Sequence, residues 1–415
     1  MKSILAFIII FGLVVFVHEF GHFFVAKKAG ILVREFSIGM GPKLVQWRRT
    51  QTTYTIRWLP LGGYVRLAGR DEQSEIDPGT AIVVQFGDGG KVNRIDASEA
   101  DLPIEGTPVR VIKADLVDAL TITGYENGDE EKEVTYQVDH DATIIDDSGT
   151  ELQIAPRDTQ LQEAKPWKKI AVSFAGPLMN VVLGFVVLFI YSFAATGPAT
   201  TTIGQVTANS PAQTVLKKND QILAVNGQKT ATFEAVSEEI SASKGKAITF
   251  KVKRSGAVKT VKVKPKYSKT AKSYIVGIVA KPDNSFGAKA KRGWQLSWQV
   301  TGMIFQALGN LFKHFSLNKL SGPVGIYSET SKATSMGLTY MLAFVGMLSI
   351  NLGIVNLIPI PGLDGGKLLL EIIELILGHP ISEEHETLVD LIGVVFLLLL
   401  IIAVTGNDIY RYFIK

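Results

Sequence analysis

Four stretches of this chain are too long and too apolar to be at home in water, and they constrain the fold more than any other feature. Crossing the hydrocarbon core of a bilayer takes about 20 mostly apolar residues in a helix, and residues 4–25, 172–195, 337–360 and 388–404 answer that description. With no water to bond the backbone, each segment must satisfy its own N–H and C=O groups, so four transmembrane helices are predicted. The composition agrees: 47% hydrophobic, 20% charged, mean hydropathy +0.22. A signal peptide is the competing reading of the first stretch, since Lys2 precedes the apolar run, but no small-x-small cleavage site follows it.

Four spans put both termini on one side. Lys27 and Lys28 close the first span, and Lys165, Lys168 and Lys169 open the second. By the positive-inside rule the intervening loop is expected in the cytoplasm and both termini outside; Lys367, Arg411 and Lys415 vote only weakly. The two long loops differ in charge. Residues 71–163 hold 6 basic and 23 acidic residues, net −17, while 200–292 hold 18 and 5, net +13. The total of +4 excludes a histone-like protein, and no nucleic-acid partner is expected. The lipid bilayer is the expected surrounding; the basic loop suits anionic lipid or envelope polymer, and reads equally as a solvated face. The chain has no cysteine, which removes disulfides, thiolate zinc sites, iron–sulfur clusters and cysteine nucleophiles together. Any metal must use His and carboxylate.

Two soluble pieces show in the pattern. Residues 81–154 alternate short β-branched runs (81–86, 109–112, 134–138, 143–145) with turn signals such as Gly89-Gly90 and Asn127-Gly128, a small β-rich insert. Residues 202–264 run strand, Ser210-Pro211-Ala212, Asp220 to Gly227, a helix near 233–243, then strands at 247–254 and 259–263; that order resembles a PDZ domain. Asn219 stands where such domains carry glycine, and Asn tolerates the left-handed turn required. A generic β-domain reads similarly. PDZ grooves take extended peptides by strand addition or exclude bulky ones. Residues 294–315 are amphipathic, with Trp294, Trp298, Met303 and Phe305 as interface anchors.

The first span contains His18-Glu19-Phe20-Gly21-His22. Histidines four apart share one helix face and can grip one metal, while the glutamate between them reaches the attacking water. Ionisable groups inside an apolar span are functional candidates by default. From Ile4 to His18 the helix rises roughly 21 Å, which puts the site towards the cytoplasmic side of the core. Catalytic zinc takes three protein ligands and keeps a fourth position open, so one more is required. The other histidines, His140, His314, His379 and His385, fall in loops or near span ends. Asp364 is better placed, after the third span in Asn356-Leu-Ile-Pro359-Ile-Pro361-Gly-Leu363-Asp364-Gly365-Gly366, where the prolines break the helix. The residues alone leave it equally readable as a Pro–Gly turn that ends a helix.

Together the intramembrane HExxH, the N-x-x-P-x-P-x-L-D-G run and the PDZ-like order resemble the bacterial site-2 proteases of the RseP type. The resemblance runs from Val17 to the last span and takes in Gly176-Pro177-Leu-Met-Asn180 and Ser321-Gly322-Pro323-Val-Gly325-Ile326. One PDZ-like domain with a long acidic insert is similar to the Gram-positive form. The resemblance implies an intramembrane zinc endopeptidase holding one Zn2+ through His18, His22 and Asp364, with Glu19 as general base and Asn356 on the substrate backbone or the developing oxyanion. It implies that residues 33–67, glycine-hinged at Gly39, Gly41, Gly62 and Gly63, dip into the membrane and offer an edge strand to an unwound substrate. It implies single-span substrates such as anti-sigma factors and signal-peptide remnants, trimmed first by a site-1-type protease, and residence in the bacterial cytoplasmic membrane. A divalent-metal transporter and a non-catalytic PDZ scaffold are the competing readings; the spans hold few further carboxylates for a transporter.

The expected fold is a polytopic α-helical membrane protein with a membrane-associated β-hairpin region, a β-rich cytoplasmic insert and one PDZ-like extracytoplasmic domain. Its expected divisions are helix 1 (1–28), hairpin region (29–70), acidic insert (71–165), helix 2 (166–198), PDZ-like domain (199–268), linker and amphipathic helices (269–336), helix 3 (337–366), a short loop (367–387) and helix 4 (388–415).

Overall fold

The first 28 residues contain no proline and almost nothing polar before His18, so a helix is the one local structure that satisfies their backbone in hydrocarbon. In the computed structural model they form α1 (Lys2–Lys28). The structure describes residues 2–69, 76–98, 105–145 and 149–411; the first residues of the expected insert, 71–75, and Lys415 lie outside the described residues. The chain divides into two compact units: Met1–Gly184 with Ile304–Gly337 and Met347–Lys415, and Phe185–Met303 with Leu338–Gly346.

In the first unit, α1 leads into β1 (Val33–Arg49) and β2 (Thr52–Leu67), long strands that bend on themselves. Their register places Glu35–Ile38 beside Thr53–Ile56 on one side and Gly63–Arg66 on the other. The insert follows as β3 (Ala81–Phe86), β4 (Val92–Asp96), β5 (Thr107–Asp115), β6 (Thr121–Glu126), β7 (Glu133–Ile145) and β8 (Glu151–Gln153). The order is β4-β3-β5-β6-β7-β8, and β4 also pairs in parallel with β7, which closes five strands into a barrel. Val84, Ile95, Ile122 and Ile154 are fully buried inside it, each stabilising by about 1.5–3 kcal/mol relative to exposure. The separate runs expected at 134–138 and 143–145 are one strand, because β7 pairs with β6 along its first half and with β4 and β8 along its second.

Helix α2 (Pro166–Ala194) carries Pro177 inside it and passes into the second unit. There β9 (Ala199–Val206), β10 (Gln221–Val225), β11 (Gln228–Lys229), α3 (Phe233–Ala242), β12 (Ile248–Arg254), β13 (Ala257–Val263), β14 (Lys266–Ser268), β15 (Ser273–Ile275) and β16 (Ile278–Pro282) build the PDZ-like domain. The sheet runs β13-β12-β10-β9-β16. The expected boundary at 268 is therefore too early: β16 pairs with β9, Ile278 against Val206 and Ala280 against Ile203, covering an edge that would otherwise leave its backbone groups open. Asn219 sits at φ 69°, the left-handed turn its position requires. Helix α4 (Phe286–Lys313) sets the exposed Trp294 and Trp298 edge-on to Phe185 at 5.8 and 5.6 Å. Its Lys289 and Arg292 donate to the carbonyls of Phe193 and Thr196, cations where the α2 dipole ends.

Helices α5 (Pro323–Met336), α6 (Leu338–Asn356), α7 (Asp364–Leu377) and α8 (Glu383–Ile409) complete the chain. Four described helices are long and apolar enough to cross a membrane: Lys2–Lys28, Pro166–Ala194, Leu338–Asn356 and Glu384–Ile409. Helix α6 stops before Pro359 and Pro361, so the third span is shorter than the expected 337–360. The fourth is longer than 388–404, and its last turns hold the fully buried Asp408. That carboxylate accepts from the N–H groups of Gly322 and Gly325 at 2.8 and 2.9 Å, capping α5. The loop expected at 367–387 is mostly helix, because Lys367, Glu371 and Glu374 recur at helical spacing among leucines and isoleucines.

Inside the PDZ-like domain Asp220 is fully buried and accepts from Arg254 Nε and Nη2, both at 2.7 Å, and from the Lys217 N–H at 2.8 Å. Burial pushes its pKa up; the Arg254 fork and the backbone donor outweigh it and hold it below the usual carboxylate value. The stability this contributes is complete above the unfolded value, about 3.9, and is lost as pH falls through the lower folded value. Hydrogen exchange of residues 199–282 in the full chain is expected to accelerate below about pH 4, and Asp220→Asn to accelerate it at neutral pH and remove the acid dependence.

Candidate metal centre

The four-residue spacing of His18 and His22 stacks both imidazoles on one face of α1, their Nε2 atoms 3.3 Å apart. Asp364, the first residue of α7, brings Oδ2 to 3.0 Å from His18 Nε2 and 3.4 Å from His22 Nε2. Among the described residues these three side chains form a group able to hold a metal ion, their ligand atoms all within 4.8 Å of one another.

The other ring nitrogens decide what the facing ones can do. His22 Nδ1 lies 2.7 Å from the Val172 carbonyl, which only accepts, so Nδ1 carries the proton and Nε2 presents a lone pair. His18 Nδ1 lies 3.2 Å from the amide nitrogen of Asn180 in α2, a fully buried residue whose Oδ1 has no partner. Turning that amide over, which exchanges two nearly indistinguishable atoms, gives Oδ1 the His18 Nδ1–H and frees the second Nε2. Two nitrogen lone pairs and a carboxylate oxygen then face one point. Ligands about 2.0–2.1 Å from a tetrahedral zinc stand about 3.3 Å apart, and the observed separations of 3.0–3.4 Å match it. The cluster fits a zinc site.

Close helix approach makes the centre possible. A Cβ on Gly176 would lie 2.1 Å from His22 Nε2, and one on Gly21 would lie 2.5 Å from the Ala175 carbonyl. From α6, Ser349 donates to the Asn180 carbonyl at 2.7 Å. Asp364 is presented by the turn after α6: Gly362 takes φ 87°, and Cβ atoms on Gly365 and Gly366 would meet the carbonyls of Ile358 and Ile360 at 2.3 and 2.5 Å. The two glycines after the aspartate are required by that fold-back.

Glu19 is half-buried on α1, in electrostatic reach of His18, His22 and Asp364. β2 passes over it at Gly63, where a Cβ would lie 2.9 Å from Glu19 Cγ. Gly63 is thus brought to the cluster. Gly39, Gly41 and Gly62 instead shape the bend, all at positive φ against Leu59 and Met40. Asn356 is half-buried at the end of α6. Sequence reasoning missed the part played by Asn180 and Val172; the signal was a polar residue in an apolar span, at helical spacing from Gly176, Ser173 and Lys169.

The profile of peptidase family M50 matches residues 6–400. The chain belongs to peptidase family M50. It is 46% identical over 421 residues to "Probable protease eep" of Enterococcus faecalis, and 45% identical over 423 residues to a protein named as a zinc metalloprotease in Streptococcus pyogenes serotype M6, each comparison covering 100% of both chains. The PDZ domain of an SdrC-like protein from Listeria innocua is similar at 18% identity and a TM-score of 0.19, over 21% of this chain and 96% of that one. The M50 assignment bears out the site-2 protease resemblance: this is a multi-pass membrane zinc metalloprotease. Gly176→Val is expected to push α1 from α2 and weaken zinc binding at least about 10-fold, the size of an outer-shell effect on metal affinity, measured by chelator competition on the purified chain.

Proposed function

We propose that this M50 protease hydrolyses a peptide bond inside the transmembrane segment of single-span membrane proteins, with His18, His22 and Asp364 holding one zinc and Glu19 as general base. The observation that carries the reading is the convergence of three ligand atoms, two with their tautomers set by α2, beside a glutamate in an apolar helix. Bound zinc supplies Lewis-acid polarisation of the scissile carbonyl and makes water a competent nucleophile near neutral pH. Glu19 takes a proton from the attacking water and returns it to the leaving amine nitrogen. The Val172 carbonyl and Asn180 keep the imidazoles in the tautomer this requires.

A substrate helix cannot be cut as it stands, because its carbonyls are bonded within it. It unwinds and pairs with the Gly63–Leu67 segment of β2, whose described pairing uses one side only. At Gly63 the missing side chain leaves room for that strand beside Glu19, with Asn356 bonding its backbone. The finer assignments follow the charge pattern and the resemblance: acidic insert in the cytoplasm, PDZ-like domain and both termini outside, and anti-sigma factors or signal-peptide remnants as substrates after an outer cut by another protease.

The test is zinc content and cleavage of a tagged single-span substrate by detergent-purified protein. Glu19→Gln is expected to keep about one zinc per chain and lose cleavage at least 1,000-fold, a loss of the order proton-transfer groups contribute, while Asp364→Ala loses both. Undiminished cleavage by Glu19→Gln would overturn the mechanism. Helix-breaking Pro or Gly placed in the substrate span is expected to raise the cleavage rate.

A further inference from the structure

We infer that two side-chain ties between α2 and α7, Lys169 to Glu374 and Ser173 to Glu371, are positioning contacts that fix where Asp364 stands relative to His18 and His22, and so set how tightly the centre holds its metal. The inference rests on the ligand set proposed above. Lys169 Nζ donates to Glu374 Oε2 at 3.1 Å with both side chains about nine-tenths buried. The other oxygen of Glu374 accepts the Ile381 N–H at 3.0 Å, which pins the chain beyond α7. One turn nearer the metal, Ser173 donates to Glu371 Oε1 at 2.7 Å.

These contacts complete a pattern on α2. Lys169, Ser173, Gly176 and Asn180 fall at spacings of four, three and four, one stripe of the helix. Through that stripe α2 orients His18 by Asn180, makes room for His22 at Gly176, and grips α7 by Lys169 and Ser173. The neighbouring Val172 carbonyl holds His22. On α7, Asp364, Lys367, Glu371 and Glu374 form the matching stripe, and the other side exposes Leu369, Ile372 and Ile376. That apolar face has no directional preference in lipid, because burial against hydrocarbon is the same at many rotations. The charged and hydroxyl ties are directional, and in low dielectric strongly so. From Glu374 back to Asp364 is ten residues, about 15 Å of stiff helix, so the rotation they impose reaches the carboxylate. A turn of α7 by one residue, about 100°, would swing Asp364 off the two imidazoles.

The experiment reads metal retention in the full-length chain in detergent, by chelator competition, and the visible spectrum of the cobalt-substituted protein. Lys169→Met with Glu374→Met removes both charges together and leaves no buried ion unpaired. It is expected to stay monodisperse, to hold zinc 10–100-fold more weakly, the usual size of a second-sphere effect on metal affinity, and to show an altered cobalt spectrum. The swapped pair Lys169→Glu with Glu374→Lys is expected to recover part of the loss, and Ser173→Ala, which creates no buried charge, to weaken zinc severalfold. Asp364→Ala separates the two readings. Wild-type retention in Asp364→Ala overturns the ligand set. Loss in Asp364→Ala with wild-type retention and spectrum in the folded double variant overturns the positioning role; should the double variant not fold, wild-type retention in Ser173→Ala does so.

Discussion

Two imidazoles and a carboxylate inside an apolar helix bundle need polar partners, and meeting that need organises the rest of the first unit. An unpartnered buried polar group costs on the order of 1–3 kcal/mol, and water is scarce at that depth. One helix supplies the partners. The Val172 carbonyl and the Asn180 amide face the histidines, and Lys169 and Ser173 face the helix that begins with Asp364. Every polar residue of that stripe thus has a role towards the cluster, and the one position without a side chain, Gly176, is where the His22 ring sits.

The same constraint explains the glycines. Helices in lipid gain little from apolar contact with one another and approach closely only where small residues let backbones meet. Gly21 against Ala175, and Gly353 against the Pro177 carbonyl, are such approaches. The Pro359 to Gly366 run does a different task, since it must break one helix, reverse, and start another with a carboxylate at its first turn. Broken backbone at this depth is tolerated where it faces protein rather than lipid, and Gly365 and Gly366 fold against the carbonyls of the preceding turn. Helix α7 then keeps Asp364, Glu371 and Glu374 at least half-buried while Leu369, Ile372 and Ile376 are exposed, the inverse of a helix on a water-soluble protein.

The soluble parts follow ordinary rules, each with its own core. Closure of the barrel through β4 and β7 removes the open edges an acidic five-stranded sheet would otherwise expose. In the PDZ-like domain the buried Asp220 is affordable because Arg254 meets it with a two-pronged bond.

What the sequence by itself determined is local in origin. Helical spans follow from runs of apolar residues, the pairing of His18 with His22 from a four-residue spacing, and the left-handed turn at Asn219 from the side chain that tolerates it. The helix over 364–377 is legible in its 3–4 spacing, although its 14 residues are too few to cross a bilayer. Other features have no local signature. That β7 meets β4, that β16 covers β9, that Asp408 caps α5, and that Asn180 turns to His18 are contacts across 46 to 162 residues. Asp364 shows the division most plainly. Its residue type and flanking prolines allowed either a ligand or the end of a helix, and only the packing of α7 against α2 brings its carboxylate beside the two imidazoles. A metal site built from two distant helices exists only where their separation and rotation are fixed, and those are properties of the packed structure.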